Sequence, residues 1–483
     1  MANGLGDELG NHSLCEIADL IAAGEVSAVE TLQATFDRID ARDPVHHAFV
    51  WQDRDGAMAR AKWLDAARAA GETLGPLHGV PLAHKDMYYR AGRVSGCGSQ
   101  IRRNDVARTT ATVLKRLDGA GAIDLGGLAM VEFAMGPHGF NAHLPRALNP
   151  WGQDRVPCGS SSGSGVAVAS RMVYGSLGSD TGGSIRCPAA ANGLVGCLPT
   201  NALVSRRGSM AMSWSLDCAG PLTRTVRDAA RMLKTIAGPD SRDESAVGAP
   251  IPDYEGALER PLGGVRIGIP DGYFNEDLDP AVAAALVASL DVFRSAGAIV
   301  VPVRIPESVA LSSSLHPLVM KAEGAANHRP WKQTRADEYS EEVGKRLEAG
   351  YFILATDYIN ALQYRAFALQ DVLENVFSQV DVLHTPVLPI PTPTLEQTAY
   401  SNGPAYLKMV VSLTRNTRPI NFLGLPALSV TCGYTPDGMP TSYQLVGRPF
   451  SEQLLFQLGH RYQQETRWHL ARPKDLHAGG TTN

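Results

Sequence analysis

The chain reads as an α/β protein: a large mixed, mostly parallel central β-sheet covered on both faces by helices. Three observations predict this class. Helical and strand-like patterns alternate along the chain, as a helix-covered sheet requires. Of the 483 residues, 44% are apolar and 19% charged, the balance of a chain that buries a sizeable core. No uninterrupted apolar run approaches the roughly 18 residues of a membrane span.

The elements follow in order. Residues 13 to 40, SLCEIADLIAAGEVSAVETLQATFDRID, have helical apolar spacing and two starts, Ser13 before Glu16 and Ser27 before Glu30, both fitting a capping box. Residues 57 to 70 make a further Ala-rich helix. In GPLHGVPLAHKDMY (75 to 88), Gly and Pro punctuate a short apolar strand ending near Lys85 and Asp86. TATVLKRLDGAGA (110 to 122) is a helix with a glycine stop, and AIDLGGLAM after it is strand-like. TVRDAARMLKTIAG (225 to 238) is an amphipathic helix, and the polar, Pro-rich residues 239 to 263 form a surface connection. VRIGIP and AIVVPV re-enter the core, a helical section covers about 318 to 380, and DVLHTPVLPIPTP (381 to 393) is a buried strand running into a loop. LPALSVTCG and SYQLVG are late strands, and EQLLFQLGHRYQQET closes the chain as a helix. These divisions give one domain over 1–483, with a core at about 75–238, an N-terminal helical segment at 13–70, the connection at 239–263 and a variable helical region at about 271–380.

A net charge of −5 without any polybasic block argues against nucleic acid or an anionic membrane as partner. The segment MANGLGDELGNHSL lacks the basic and apolar regions of a secretory leader, so a cytoplasmic location is expected. The seven cysteines include no C-x-x-C pair and read as free thiols; the histidines show no metal-ligand spacing, so neither metal nor cofactor is expected.

The chemistry centres on CGSSSGSGVAVASRMVYGSLGSDTGGSIRCP (158 to 188). Three readings of it stay open on the residues alone. Gly159 to Gly163 matches G-x-S-x-G, which would make Ser161 the nucleophile of an elbow esterase. GSSSGSG opening a helix could cradle a phosphate through backbone N–H groups, although the P-loop lysine is missing. In the third reading Ser184 follows a glycine pair whose N–H groups converge on a developing oxyanion, and a buried lysine with a lowered pKa serves as base. Lys85, emerging from GVPLAH, is placed for that task. His84 beside it points to the opposite face of the strand and takes a packing or surface role.

GVPLAHKD, CGSSSGS and GSDTGGSIRCPAAANGLVGCLPT together resemble the amidase signature family, with Ser160 lying 24 residues before Ser184. EFAMG (132 to 136), DCAGPLTRTVRDA (217 to 229), DVLHTPVLPIPTP, PINFLGLPALSVTCG and QLVGRPFSE extend the resemblance over about residues 13 to 473. It implies the amidase signature fold and metal-independent hydrolysis of a linear carboxylic amide through an acyl-enzyme. By that resemblance Ser184 is the nucleophile, Ser160 the proton bridge in a cis peptide and Lys85 the base. The N–H groups of Thr181, Gly182, Gly183 and Ser184 form the oxyanion hole, with Asp180, Arg186 and Ser161 in support. Ser161, Ser162 and Ser164 are further expected to cap the following helix. Met135, Gly136 and His138 are expected at the substrate, with residues 135 to 145 and 311 to 350 lining or covering the pocket.

The chain departs from the family pattern at Cys158 and Ser162, which replace glycines, at GLAMVE (127 to 132) and at Leu198. The favoured expectation is a stand-alone hydrolase of a small-molecule amide, with no nucleic-acid or membrane partner and at most a homodimer. The alternative is the A subunit of the glutamyl-tRNA amidotransferase, a glutaminase. Arg365 falls where that branch places its glutamine-binding arginine, but VSLTRNTRPIN (411 to 421) lacks the aspartate expected upstream of its asparagine.

Overall fold

The computed structural model describes residues 8–474, so the first seven residues of the segment read as lacking a leader lie outside it. Helices α1 (Leu14–Ala23) and α2 (Ala28–His46) open on the two expected capping boxes, each with serine and glutamate bonding reciprocally. Then come β1 (Phe49–Gln52), α3 (Arg54–Ala69), β2 (Pro81–Lys85), α4 (Thr112–Gly119) and β3 (Ile123–Leu128). These strands form a small sheet in the order β1–β3–β2, with β2 parallel to β3.

The glycine- and serine-rich stretch builds α5 (Ser162–Ala169), β4 (Gly175–Asp180) and α6 (Arg186–Ala191), followed by β5 (Val195–Leu198), β6 (Cys218–Thr223) and α7 (Val226–Ile236). Residues 239–263 contain only one short helical turn, Glu255–Ala257. Beyond it lie β7 (Arg266–Asp271), α8 (Pro280–Ser295), β8 (Ile299–Arg304), α9 (Glu307–Thr334), α10 (Glu341–Gly350) and α11 (Ala355–Asn375). The last section contains β9 (Val382–Pro386), α12 (Pro404–Thr414), α13 (Arg418–Leu423), β10 (Ala427–Tyr434), β11 (Pro440–Gly447) and α14 (Glu452–Glu465).

The second sheet has eight strands in the order β4–β6–β5–β10–β11–β9–β7–β8. It is mixed and flanked by helices, as expected, but it is not mostly parallel. Five of its seven pairings are antiparallel, and only β7 with β8 and with β9 run parallel. Alternating helix and strand patterns tell what covers a sheet; they do not give direction when neighbours come from distant parts of the chain, as β5 and β10 do. Within this sheet only β7–α8–β8 is a crossover unit with its two strands adjacent and parallel, the counterpart of β2–α4–β3 in the small sheet. Side-chain alternation then assigns the faces. Leu428, Val430, Tyr443 and Leu445 join the core that contains Leu286 and Phe293 of α8 and Phe456 and Tyr462 of α14. Gln444 turns to the other face, where it meets Arg186 of α6.

The sheets join edge to edge at β2 and β4. Leu177 N–H donates to His84 Nδ1 at 3.1 Å, Tyr88 Oη to Gly178 O at 2.6 Å, and Tyr174 N–H to Pro81 O at 3.3 Å. His84 is therefore a packing residue, and burial pushes its imidazole down to about 4. Helix α5 is buried throughout and rests on the end of β3, with Gly163 N–H donating to Ala129 O at 2.8 Å. All seven cysteines are buried and unpaired.

A Cβ on Gly163 would lie 2.5 Å from Ala129 N and 2.6 Å from Ala48 O, backbone atoms that cannot turn aside. Gly163→Ala is expected to destabilise the chain by about 1–3 kcal/mol, read as a lower midpoint in urea unfolding; an unchanged midpoint would contradict this packing.

Candidate active site

Strand β2 carries Lys85 into the junction between the sheets, where the side chain is 1% exposed. Its Nζ lies 2.6 Å from Ser160 Oγ and 2.8 Å from Ser179 Oγ. Burial drives its pKa down to about 7, against the opposing pull of Asp217 and Asp180. Neither carboxylate reaches it: Asp217 is held by Thr181 Oγ1 and the N–H groups of Met212 and Ser213, and Asp180 by Arg186. Near neutral pH the amine thus has a substantial uncharged fraction, with a lone pair available to the Ser160 hydroxyl.

Ser160 is fully buried, and the Gly159–Ser160 peptide is cis. The next residue ties it to the turn that follows β4, through Ser161 N–H to Ser184 O at 3.4 Å. That turn, residues 181–185, is held from below by Asp180. Its carboxylate accepts N–H groups of Gly183 at 2.6 Å, Ile185 at 3.2 Å and Arg186 at 3.3 Å, together with the Arg186 guanidinium and Asn421 Nδ2. Burial by itself would raise the Asp180 pKa; Arg186, Asn421 and the Gly183 N–H outweigh it and hold the carboxyl below its usual range. Arg186, with no exposed surface, also donates to Gln444 Oε1, Thr417 O and Asn421 Oδ1. From above, His316 Nε2 reaches Thr181 O at 2.7 Å and Thr417 Oγ1 donates to Gly182 O at 2.6 Å. With the carbonyls pulled outward, both glycines are sterically required. A Cβ on Gly182 would sit 2.8 Å from His316 Cε1; one on Gly183, whose φ is +129°, 2.5 Å from Thr417 Oγ1.

Among the described residues, the N–H groups of Thr181, Gly182 and Ser184 carry no partner in the chain, and Gly182 and Ser184 are the partly exposed members of the turn. This corrects one expectation. Gly183, assigned to the oxyanion hole, has already committed its N–H to Asp180, so it shapes the turn instead of presenting a donor.

The serines after Ser160 do not cap α5. Ser161 Oγ bonds the backbone of Ser179 in both directions at 3.3 Å, Ser162 Oγ donates to Ala129 O, and Ser164 Oγ donates to Leu177 O. All three are buried, fastening the helix to neighbouring strands. A fully occupied, buried Ser161 removes the elbow reading, which also lacks its preceding strand, and the buried N-terminus of α5 leaves no room for a phosphate. Met135, Gly136 and His138 are buried as well. His138 Nε2 lies 3.2 Å from Glu342 Oε1 and 3.0 Å from Tyr406 Oη, at the wall of a cavity of about 360 Å³ that also touches Phe140, Arg146, Leu395 and Tyr400. Arg365 donates to Ser215 O at 3.0 Å; the arginine whose stem runs beside Gly182 is Arg418. Sequence reasoning missed Ser179, His316, Thr417, Asn421 and Arg418. Ser179, Thr417, Arg418 and Asn421 lie inside stretches already singled out, and His316 inside the region 311 to 350 expected at the pocket, but no local pattern marked any of the five individually.

The Amidase family model matches residues 30–456. The A subunit of the glutamyl-tRNA(Gln) amidotransferase of Chloroflexus aurantiacus is 39% identical over 94% of this chain and 96% of its own length. That of Myxococcus xanthus is 37% identical over 95% and 98%. A solved structure described as a vestigial protein complex that reveals the origins of an s-triazine catabolic enzyme superposes with a TM-score of 0.88, at 32% identity, over 96% of this chain and all of its own. These names overturn the expected partners. A small-molecule amide, no nucleic acid and at most a second copy of the chain do not fit relatives named as one component of a tRNA amidotransferase. As for the membrane, no described helix is long and apolar enough to cross one. The matched length and the shared fold lead to one conclusion: this chain belongs to the amidase family.

Proposed function

We propose that the chain hydrolyses a primary carboxamide as the amidase component of a multi-subunit amidotransferase, with the side-chain amide of glutamine as ammonia donor. The observation that carries the chemistry is the contact of a buried lysine, titrating near neutrality, with Ser160 at 2.6 Å. The assembly reading is supported by relatives that are named as amidotransferase components and match nearly end to end.

In this mechanism Ser184 Oγ attacks the amide carbon while its proton passes to Ser160 Oγ and the Ser160 proton passes to neutral Lys85 Nζ. The C–O bond forms, and the carbonyl oxygen becomes an oxyanion facing the N–H groups of Thr181, Gly182 and Ser184. On collapse the C–N bond breaks. Ser160 gives its proton to the leaving nitrogen and recovers one from Lys85, and ammonia departs. Water then attacks the Ser184 ester by the same proton route, releasing the acid and restoring Ser184. Ser179 orients the lysine amine through its second contact. Asp180 and Arg186 position the turn.

Lys85→Ala is expected to lower kcat/KM by about 10²–10⁴-fold. Because the amine works unprotonated, wild-type turnover rises with pH through the lysine pKa of about 7 and levels off above it; a profile flat from roughly pH 6 to 8 excludes this base. A fluorophosphonate is expected to modify Ser184 in the wild type and to label far more slowly without Lys85, mapped by peptide mass spectrometry. An adduct on any other serine sinks the nucleophile assignment. The assembly reading is tested by isolating the chain from its own cells. A stoichiometric partner polypeptide and ammonia release from glutamine support it, and a lone chain with full turnover refutes it.

A further inference from the structure

Arg418 opens α13 directly after Thr417, the residue that holds Gly182 O and receives Arg186. Its stem runs alongside the serine turn: a Cβ placed on Gly182 would lie 3.6 Å from Arg418 Cγ. Among the described residues its guanidinium makes no hydrogen bond or ion pair within the chain. The charged neighbours acting on it and on one another are cations. Arg346 acts on both Arg418 and Lys321, and Lys321 of α9 also feels Arg418. Glu342, the carboxylate that Arg346 meets at 2.8 Å, is also taken by His138 and by Tyr406, and Asp180 is taken by Arg186. Tyr273 spends its hydroxyl on Arg415 O.

A cation withdrawn from water without a counter-charge is costly. Burial and Arg346 lower the Arg418 pKa to about 10, and burial with the two arginines lowers that of Lys321. Gly182, Ser184, Lys321 and Arg418 each keep part of their surface open, so the uncompensated charge is not sealed off from solvent and its stem runs beside the serine turn. An anion fits there, and a planar guanidinium suits a carboxylate, which it binds through two parallel N–H donors.

We propose that Arg418, assisted by Lys321, binds the carboxylate of the amide substrate, so that the chain selects primary amides carrying a negative group over neutral ones. This rests on the amide-hydrolase reading above and narrows its substrate class. Arg418 is a substrate-anchoring residue; the bond-breaking steps stay with the serine turn and Lys85.

The test compares Arg418→Met and Arg418→Lys with wild type in the full chain, by ammonia release from glutamine, succinamic acid and butanamide. The ratio of kcat/KM for succinamic acid to that for butanamide is expected to fall about 10–100-fold in Arg418→Met, mainly through KM, the scale of a lost charge-assisted pair. Arg418→Lys keeps the charge and recovers part of the ratio. An unchanged ratio, or equal losses on both amides, overturns the proposal. A second readout needs no turnover: succinate raises the Tm of the wild type and not that of Arg418→Met. A wild type that succinate does not stabilise also overturns it. Failure of the wild type to hydrolyse any of the three amides would refute the amidase reading, while the Tm shift still decides the anion site.

Discussion

Two opposite charges with no exposed surface, Asp180 and Arg186, determine how everything around them is arranged. A buried pair survives only if nearly every lone pair and proton finds a partner. Here the partners come from three directions: the N–H groups of the turn, Gln444 on β11, and Thr417 with Asn421 at α13. The requirement to satisfy the pair therefore ties the turn after β4 to a strand and a helix more than 200 residues further along. Once those bonds are made, the backbone of residues 181–185 has one way to lie, with its free N–H groups and Ser184 on the open side.

Lys85 meets the same low-dielectric interior with the opposite solution. It has serine hydroxyls around it and no carboxylate in contact, so shedding its proton relieves it where Asp180 keeps its charge. A carboxylate at the place of Ser160 or Ser179 would restore an ordinary ammonium. The pairing of a compensated ion with an uncompensated one, a few residues apart in space, separates a structural charge from the amine proposed as base.

Much of this could be read from the residues. The capping boxes at Ser13 and Ser27 require no tertiary information, and both helices begin where those serines sit. Lys85, Ser160, Ser184, Asp180 and Arg186 fall in short motifs, and the structure brings them together. What was not legible depended on distant pairing. GSLGSD has no β-branched or aromatic residue to mark it as a strand, yet it forms β4, because Gly175 and Gly178 let β4 pack against β6 and α5 where a Cβ would not fit. The Gly220 Cα, for example, sits so close to Cys197 O that a Cβ there would be 2.2 Å away. Strand direction in the large sheet, the donation of Gly183 to Asp180 and the approach of His316 and Arg418 all depend on segments far apart in sequence, and no local pattern records them.

The junction of the two sheets has a temporal consequence. Lys85 leaves its water only when β4, made about 90 residues later in synthesis, has closed against β2. The Asp180–Arg186 bonds wait longer still, for Asn421 and Gln444. A nascent or partly unfolded chain thus carries a protonated surface lysine and an unshaped serine loop, and by the mechanism proposed above it cannot yet hydrolyse an amide. On that mechanism reactivity arrives with the last contacts of folding.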